Sequence, residues 1–405
     1  MQFSPRKQKR PSWIQVIAIC LAVAAVTMLA TGYVLSERYK SVQAPSVDQS
    51  RYQKLDEIRC LVDAYYVGEY DEDELLDMLG VGFMSGINDK WSYYTSAENL
   101  EELYEDKTGA YAGIGVTVTL DSATGLLQVM EVYEDSPAAE AGIRRFDMLY
   151  TVEGESVAAL RLDATVSQVR GEIGTTVNLE ILRDGVVIAM TVERRTVEKT
   201  SVYAELIDGE IGFLRISEFT VAAASQFAEK VATLQNIGAQ CFIIDVRNNV
   251  GGRLNTLIKM LDELMPEGVV FIERDKAGNE NRVAVDANYC DLPVVVLVNE
   301  YSYSAAEYFA AVMQEQGRAY VIGTPTTGKG EGQQTFQLSD GSAVTFSVIK
   351  YYTPNGVSIG DQGGIIPDMN VEITYDQIVA IGSVDYREDP QIMAAVGYMQ
   401  EVLAK

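Results

Sequence analysis

The sequence predicts a multidomain protein: an N-terminal transmembrane helix, a helical segment, and a β-rich domain inserted before an α/β core. Three observations carry this. At 405 residues the chain is too long for one ordinary domain. An apolar run from Trp13 to Leu35 follows a cluster of basic residues. Beyond it the texture changes twice, from helical periodicity to short β-like runs near Gly109, and to alternating strands and helices after Val202. Hydrophobic content of 47% against 22% charge excludes a disordered chain as the default.

The first element is a membrane device. Arg6, Lys7, Lys9 and Arg10 (segment 1–12) precede the apolar stretch 13–35, which is long enough for the ~20 residues a bilayer-spanning helix needs. Basic residues on its N-terminal side predict an N-in anchor with the rest outside the cytoplasm. Val42-Gln43-Ala44, the nearest small-x-small site, lies well past the run, which favours an uncleaved anchor over a signal peptide. Residues 36–50 read as a polar linker. The formal charge is −26; residues 1–40 carry six basic residues and one acid, a balance of +5, which leaves −31 on the body. Such a body repels nucleic acid and prefers apolar or basic partners.

Residues 51–108 form a helical region, with Leu55, Ile58, Cys60, Leu61 and Val62 crowding one stretch and Leu75, Leu76, Met78 and Leu79 another. This apolar surface would serve either a homodimer or packing on the core. The acidic run 71–74 sits where a helix N-terminus welcomes negative charge, and it lacks the order of a calcium-binding EF-hand loop. Residues 109–197 are strand-rich: 113–120, 126–133, 147–154 and a hairpin over 176–194 turning at Asp184-Gly185, with a short helix at 136–143. In the α/β domain, 198–385, a strand at 211–219 precedes an amphipathic helix, 222–238, with a glycine cap. The continuous apolar runs 241–248 and 293–299 read as strands buried on both faces. Helices follow at 253–265 and 304–317, then a strand at 319–323, a β-rich stretch at 342–356, and a closing helix in 386–405. The four cysteines show no metal spacing; Cys60, Cys241 and Cys290 read as buried small hydrophobes, and a Cys241–Cys290 disulfide has no support in the sequence beyond the two residues themselves.

Two segments carry the chemistry. The first, 299–311, ends a buried strand and opens a helix with Ser304 at the junction; the second, 323–334, sets Lys329 and Gln333 in a glycine-rich loop. The chain has no histidine, so a serine nucleophile here needs lysine or a carboxylate as its base. A free lysine, with a pKa near ~10.4, is neutral about once in 2,500 at pH 7, so a base role requires burial that lowers it. Gln333 would orient neutral Lys329 without stabilising its cation as a carboxylate would; Glu331 in contact with Lys329 would do the opposite. The helix start aims the Ala305 amide at a developing oxyanion, and Gly251 or Gly252 offers a second amide beside it. Taken singly these features are bland. A serine at a helix start is usually an N-cap. Gly323 to Lys329 nearly spells a phosphate-binding loop, but Gly330 stands where Ser/Thr is needed.

Together, over about residues 50–375, the segments resemble the C-terminal processing peptidases, serine proteases of peptidase family S41 with an embedded PDZ domain. The family's SASASE-like nucleophile motif matches Ser302-Tyr303-Ser304-Ala305-Ala306-Glu307, and its GKGxxQ motif matches Gly328 to Gln333. DVRNNVGG (245–252) is similar to the oxyanion loop, 351–371 to the tail, and NDKWSYY (88–94) to the segment before the PDZ domain. Departures are Val250, Tyr303, Ala306 and Glu331. The resemblance implies Ser304 as nucleophile, Lys329 as base and Gln333 as its partner, with no metal or organic cofactor. It implies protein substrates captured by their C-termini and a single-pass place in a bacterial cell membrane, catalytic domains outside the cytoplasm. Gly113, Ile114, Gly115 and Val116 would form the nest for a peptide's carboxylate, and Arg170 would couple peptide occupancy to the active site. The alternative is an inert PDZ scaffold that binds C-termini without turnover.

Overall fold

A computed structural model describes residues 49–101, 103–104, 110–160 and 162–405. The basic segment, the expected anchor 13–35 and nearly all of the linker lie outside the described residues. Among the described residues, no helix is long and apolar enough to cross a membrane. The chain divides into two compact units, 1–72 and 73–405.

In the first unit the helix Gln53–Tyr65 is tied by Arg59, which bonds Asp63 at 3.1 Å and Glu72 at 2.5 Å. This helix buries none of its residues. Cys60, expected inside, is exposed, because the periodicity that placed it on an apolar stretch sets only the side of the helix and not what covers that side. Cys241 is buried; Cys290 is half-buried and accepts from Gln235 Nε2, and both thiols are free, so the two form no disulfide.

The division falls after the first residue of the helix Glu72–Gly86, whose acidic first turn lies where the 71–74 run predicted it. The strand-rich segment then forms one antiparallel sheet from Val116–Leu120, Leu127–Val132, Met148–Val152, Thr176–Arg183 and Val186–Glu193. Asp184 (φ 52°) and Gly185 (φ 78°) both take left-handed conformations, the pair of angles a two-residue hairpin matching strand twist requires. Val129, Val152, Val177 and Ile181 are fully buried in its core with Ala138 of the short helix Pro137–Glu140. The entry strand Ala110–Gly113 pairs with the exit strand Arg195–Glu198, so the segment leaves the chain where it enters.

The α/β core is built on a six-stranded sheet ordered Val202–Ile207, Ile211–Ile216, Cys241–Asp245, Val294–Val298, Ala319–Gly323, Met369–Asn370. The first pair is antiparallel and the rest parallel. The strands that form within both apolar runs, Cys241–Asp245 and Val294–Val298, are shorter than read but buried at every position, while Asn248 and Pro293 of the runs are half-buried. One face carries the helices Ala223–Asn236, Leu254–Asp262 and Ala305–Glu315; the other carries Pro390–Leu403. The first of these helices ends with Gly238 at φ 108°, the Gly238 amide bonding Gln235 O and the Ala239 amide Leu234 O, which satisfies two of its last carbonyls. A second, antiparallel sheet joins Tyr93–Thr95, Ala343–Tyr352, Gly268–Asp275 and Glu280–Val285, with Glu331–Gln337 pairing on Ala343–Tyr352. Gln333 therefore stands in a strand rather than in the glycine-rich loop; only Lys329 stays in the loop.

Candidate active site

The site lies at the carboxyl ends of the adjacent parallel strands Cys241–Asp245 and Val294–Val298, where open α/β sheets leave a crevice. After Val298 the chain makes a tight turn. Asn299 bonds Asn248 reciprocally, its Oδ1 accepting the Asn248 amide at 3.0 Å and its Nδ2 donating to Asn248 Oδ1 at 2.8 Å. Ser302 is fully buried; its hydroxyl donates to Val246 O at 2.8 Å and accepts from the Asn299 amide at 3.0 Å. That hydroxyl is structural. Ser304, two residues on, is half-buried and faces the cleft at φ 59°, ψ −122°. A serine there costs about 1–3 kcal/mol of strain, which the packed turn must hold.

Glu307 holds the Ser304 turn and the Lys329 loop together. It is fully buried, and its carboxylate accepts the amides of Ser304 (3.0 Å), Gly328 (2.5 Å) and Lys329 (2.9 Å) and the hydroxyl of Thr326. Lys329 is buried, and its Nζ donates to Gln333 Oε1 at 2.8 Å. Gln333 in turn donates through Nε2 to Trp91 O. The buried Tyr351 hydroxyl donates to Lys329 O while its own amide bonds Gly330 O at 3.1 Å, so one residue staples two links of the loop. That hydroxyl also interacts with the Ser304 side chain, and burial pushes its pKa well above the ordinary tyrosine range, keeping it protonated. Glu331 accepts the Gly330 amide at 3.2 Å and stands opposite Lys350 in register. Ser304, Lys329 and Gln333 line one cleft of about 670 Å³.

The glycine loop reaches the same cleft. A Cβ at Gly251 (φ 98°) would fall 2.8 Å from Ser304 Cβ and 2.9 Å from Ala305 N, so only glycine leaves that amide open. The Gly251 amide donates to Asn249 Oδ1 at 2.8 Å. The Gly251 carbonyl accepts the Phe219 amide at 2.7 Å. In a trans peptide the next amide, that of Gly252, points the opposite way; Gly252 lines the cleft. Buried Asn249 braces both loops, donating to Ile216 O at 2.7 Å while its carbonyl accepts the Tyr303 amide at 3.1 Å.

The second site is a groove of about 90 Å³ lined by Ile114, Gly115, Val118, Leu127, Val166 and Arg170 among others. Ile114 O accepts from Ala138 N at 2.8 Å and Gly115 O from Tyr133 N at 3.0 Å. By the same trans geometry the amides of Gly115 and Val116 turn away from those donors. Gly115 has φ 86°, and a Cβ there would meet Ser136 Cβ at 2.3 Å. Gly113 belongs to the entry strand, in register with Arg195, and not to the turn itself. Arg170 follows the helix Leu162–Val169, and its guanidinium lies 5.3 Å over the Tyr111 ring at the groove wall.

The family model of peptidase family S41 matches residues 210–371, and that of the PDZ domain residues 112–193. The carboxy-terminal processing protease CtpA of Bacillus subtilis (strain 168) is 30% identical over 361 residues, covering 88% of this chain and 76% of its own length. A carboxyl-terminal-processing protease of Synechocystis sp. is 31% identical over 314 residues, 75% of this chain and 73% of its own. The chain belongs to the carboxy-terminal processing proteases. It is thus a serine-type peptidase carrying a PDZ domain. Among solved structures, the photosystem II D1 C-terminal processing protease has a TM-score of 0.47 at 24% identity, over 83% of this chain and 92% of its own.

For a member of this family, sequence reasoning singled out the residues with conspicuous chemistry and passed over their supports. Glu307 closes the nucleophile motif, yet its type and spacing look like an ordinary helix cap. Asn249, Tyr351 and Trp91 lie inside segments that were noticed, but only the folded chain gives them partners.

Proposed function

We propose that this chain is a membrane-anchored endopeptidase that seizes substrate C-termini in its PDZ groove and cleaves with Ser304 as nucleophile and Lys329 as base. The observation that carries the reading is the 2.8 Å bond from buried Lys329 Nζ to Gln333 Oε1 in the cleft that Ser304 faces. Neutral Lys329 takes the Ser304 proton as Oγ bonds the substrate carbonyl carbon. The oxyanion is met by the Ala305 amide and, since Gly251 is bonded to Asn249, by the amide of Gly252. Lys329 then gives its proton to the departing amine, and water, deprotonated by Lys329, releases the acyl group. Gly115 and Val116 amides take the tail's carboxylate. Arg170 senses that occupancy. The apolar stretch 13–35 after four basic residues supports a single-pass anchor with the catalytic domains outside the cytoplasm.

The test is turnover of an unstructured protein with an apolar C-terminus by the purified full-length chain beside Ser304→Ala, Lys329→Ala and Arg170→Ala. Turnover should vanish in the first two with tail binding kept, and Arg170→Ala should lose stimulation by an added tail peptide. Tail binding without turnover in the unmodified chain, across pH and with tail peptides added, would identify an inert scaffold instead.

A further inference from the structure

The segment before the PDZ domain contributes Trp91 to the cleft. Its carbonyl accepts Gln333 Nε2, its ring stacks on Tyr303 with centroids 5.5 Å apart, and Lys329 Nζ lies 4.6 Å from its centroid. Tyr303, 5.8 Å from the same ammonium, stands beside the nucleophile where the family motif has a smaller residue. Trp91 does not hang loosely. Asp89 accepts its amide at 3.0 Å, the Ser92 hydroxyl at 2.6 Å and the Ser347 hydroxyl at 2.8 Å. The strand Tyr93–Thr95 then pairs with Ala343–Thr345, in the strand on which Glu331–Gln337 also pairs. One sheet therefore fixes both the tryptophan and the glutamine that hold Lys329.

We propose that Trp91, with Tyr303, is a positioning residue that walls Lys329 off from water and so sets the pH at which it can act as base. This rests on Lys329 being the base. Two effects of the ring oppose each other. Its face attracts a desolvated ammonium, worth roughly 1.5 pKa units, whereas burial can displace a lysine by about 3–5 units toward neutrality. Exclusion of water wins, and Lys90, whose ammonium lies 4.4 Å from the same ring centroid, adds like charge that acts in the same direction. The other titratable groups lining the cleft are Glu331, Glu218, Arg253, Tyr93, Tyr303, Tyr308 and Tyr351, with Glu307 on the Lys329 amide and Asp89, a negative charge that acts against the shift, on the Trp91 amide.

The experiment is the pH profile of kcat/KM for the full-length chain and its Trp91→Ala, Trp91→Phe and Lys329→Ala variants, with tail-peptide affinity measured alongside. Trp91→Ala should move the acid limb up by about one unit and lower kcat/KM about tenfold near neutrality, through kcat rather than KM. Trp91→Phe, which keeps the cover, should follow the parent profile, and tail affinity should not change. Where Trp91→Ala fails to fold, Tyr303→Ala opens the other side of the wall and should give the same upward shift. An unshifted acid limb in the variant that folds, or equal shifts for Trp91→Ala and Trp91→Phe, overturns the proposal. Undiminished turnover by Lys329→Ala would instead remove the Ser–Lys reading beneath it, and this control separates the two failures.

Discussion

At the scale of single residues, Glu307 ties the turn that bears Ser304 to the loop that bears Lys329. One buried carboxylate satisfies three amides and a hydroxyl from two segments about 20 residues apart. A carboxamide of the same shape has one acceptor oxygen and would turn its NH₂ toward amides that also donate, leaving buried donors unpaired at about 1–3 kcal/mol each. Glu307→Gln should therefore cut kcat about 100-fold or more while tail affinity stays unchanged, because the groove is built from other strands. Steady-state kinetics with parallel tail binding checks this, and parental turnover in that variant would show the bridge to be dispensable. The sequence set Ser304, Lys329 and Gln333 apart because their chemistry is visible in their type once histidine is absent, and the fold brings them into one cleft. Trp91 was not visible in that way. It meets Gln333 across 242 positions, and nothing in a local pattern marks so distant a partner.

Among the elements, legibility followed the locality of the signal. The hairpin at Asp184-Gly185 was readable because two left-handed residues are announced by their type. The hairpin Gly268–Asp275/Glu280–Val285 went unread: its turn is longer and is held by Asp275, whose carboxylate accepts the amides of Ala277 and Asn279, and its second strand is largely exposed. The strand Glu331–Gln337 was hidden by three glycines just before or within it, Gly332 marking the register shift beside Gln333. In the PDZ sheet, Asp147 anchors the strand Thr176–Arg183 to the loop before Met148–Val152, accepting Arg183 Nε and Nη2 at 2.7 and 2.6 Å and the Arg144 amide at 2.7 Å. Burial opposes its ionisation, but these bonds outweigh burial and hold its pKa below the usual carboxylate range. A depressed carboxylate contributes stability that is present above its unfolded pKa, near ~3.9, and is lost as pH falls through the folded value. Asp147→Asn should thus cost about 2 kcal/mol at neutral pH and should flatten the acid loss of stability. Denaturant unfolding across the acid range reads both, and parallel pH curves for parent and variant would refute the assignment.

Over the whole molecule, the loops of the cleft depend on the closing helix. Arg247, directly after the strand Cys241–Asp245, is fully buried, and its guanidinium joins Asp245 (2.7 and 2.8 Å) to Asp389 (2.8 and 3.0 Å) and Gln391 (2.8 Å). Burial alone would lower the Arg247 pKa, but the two carboxylates more than reverse this, so the charge stays. Asp389 also caps the helix Pro390–Leu403, accepting the amides of Gln391 and Ile392. That helix covers Ile243, Val295 and Leu297 on the sheet face opposite the helix Ala305–Glu315. One buried cation thereby fixes the closing helix to the strand that leads through Asn248 and Asn249 to Gly252 in the cleft. Buried pairs are weak evidence of stability against an apolar replacement, but removing one partner strands the other charges, at about 3–5 kcal/mol. Arg247→Ala should lose that much in denaturant unfolding. Arg247→Lys should recover only part of it, because a single ammonium cannot present the planar fork that reaches both carboxylates and Gln391. Turnover should fall in both variants at temperatures where they remain folded, since the glycine loop begins at the next residue. A loss below about 1 kcal/mol in Arg247→Ala, the range of surface pairs, would mean that the closing helix and the glycine loop are held independently.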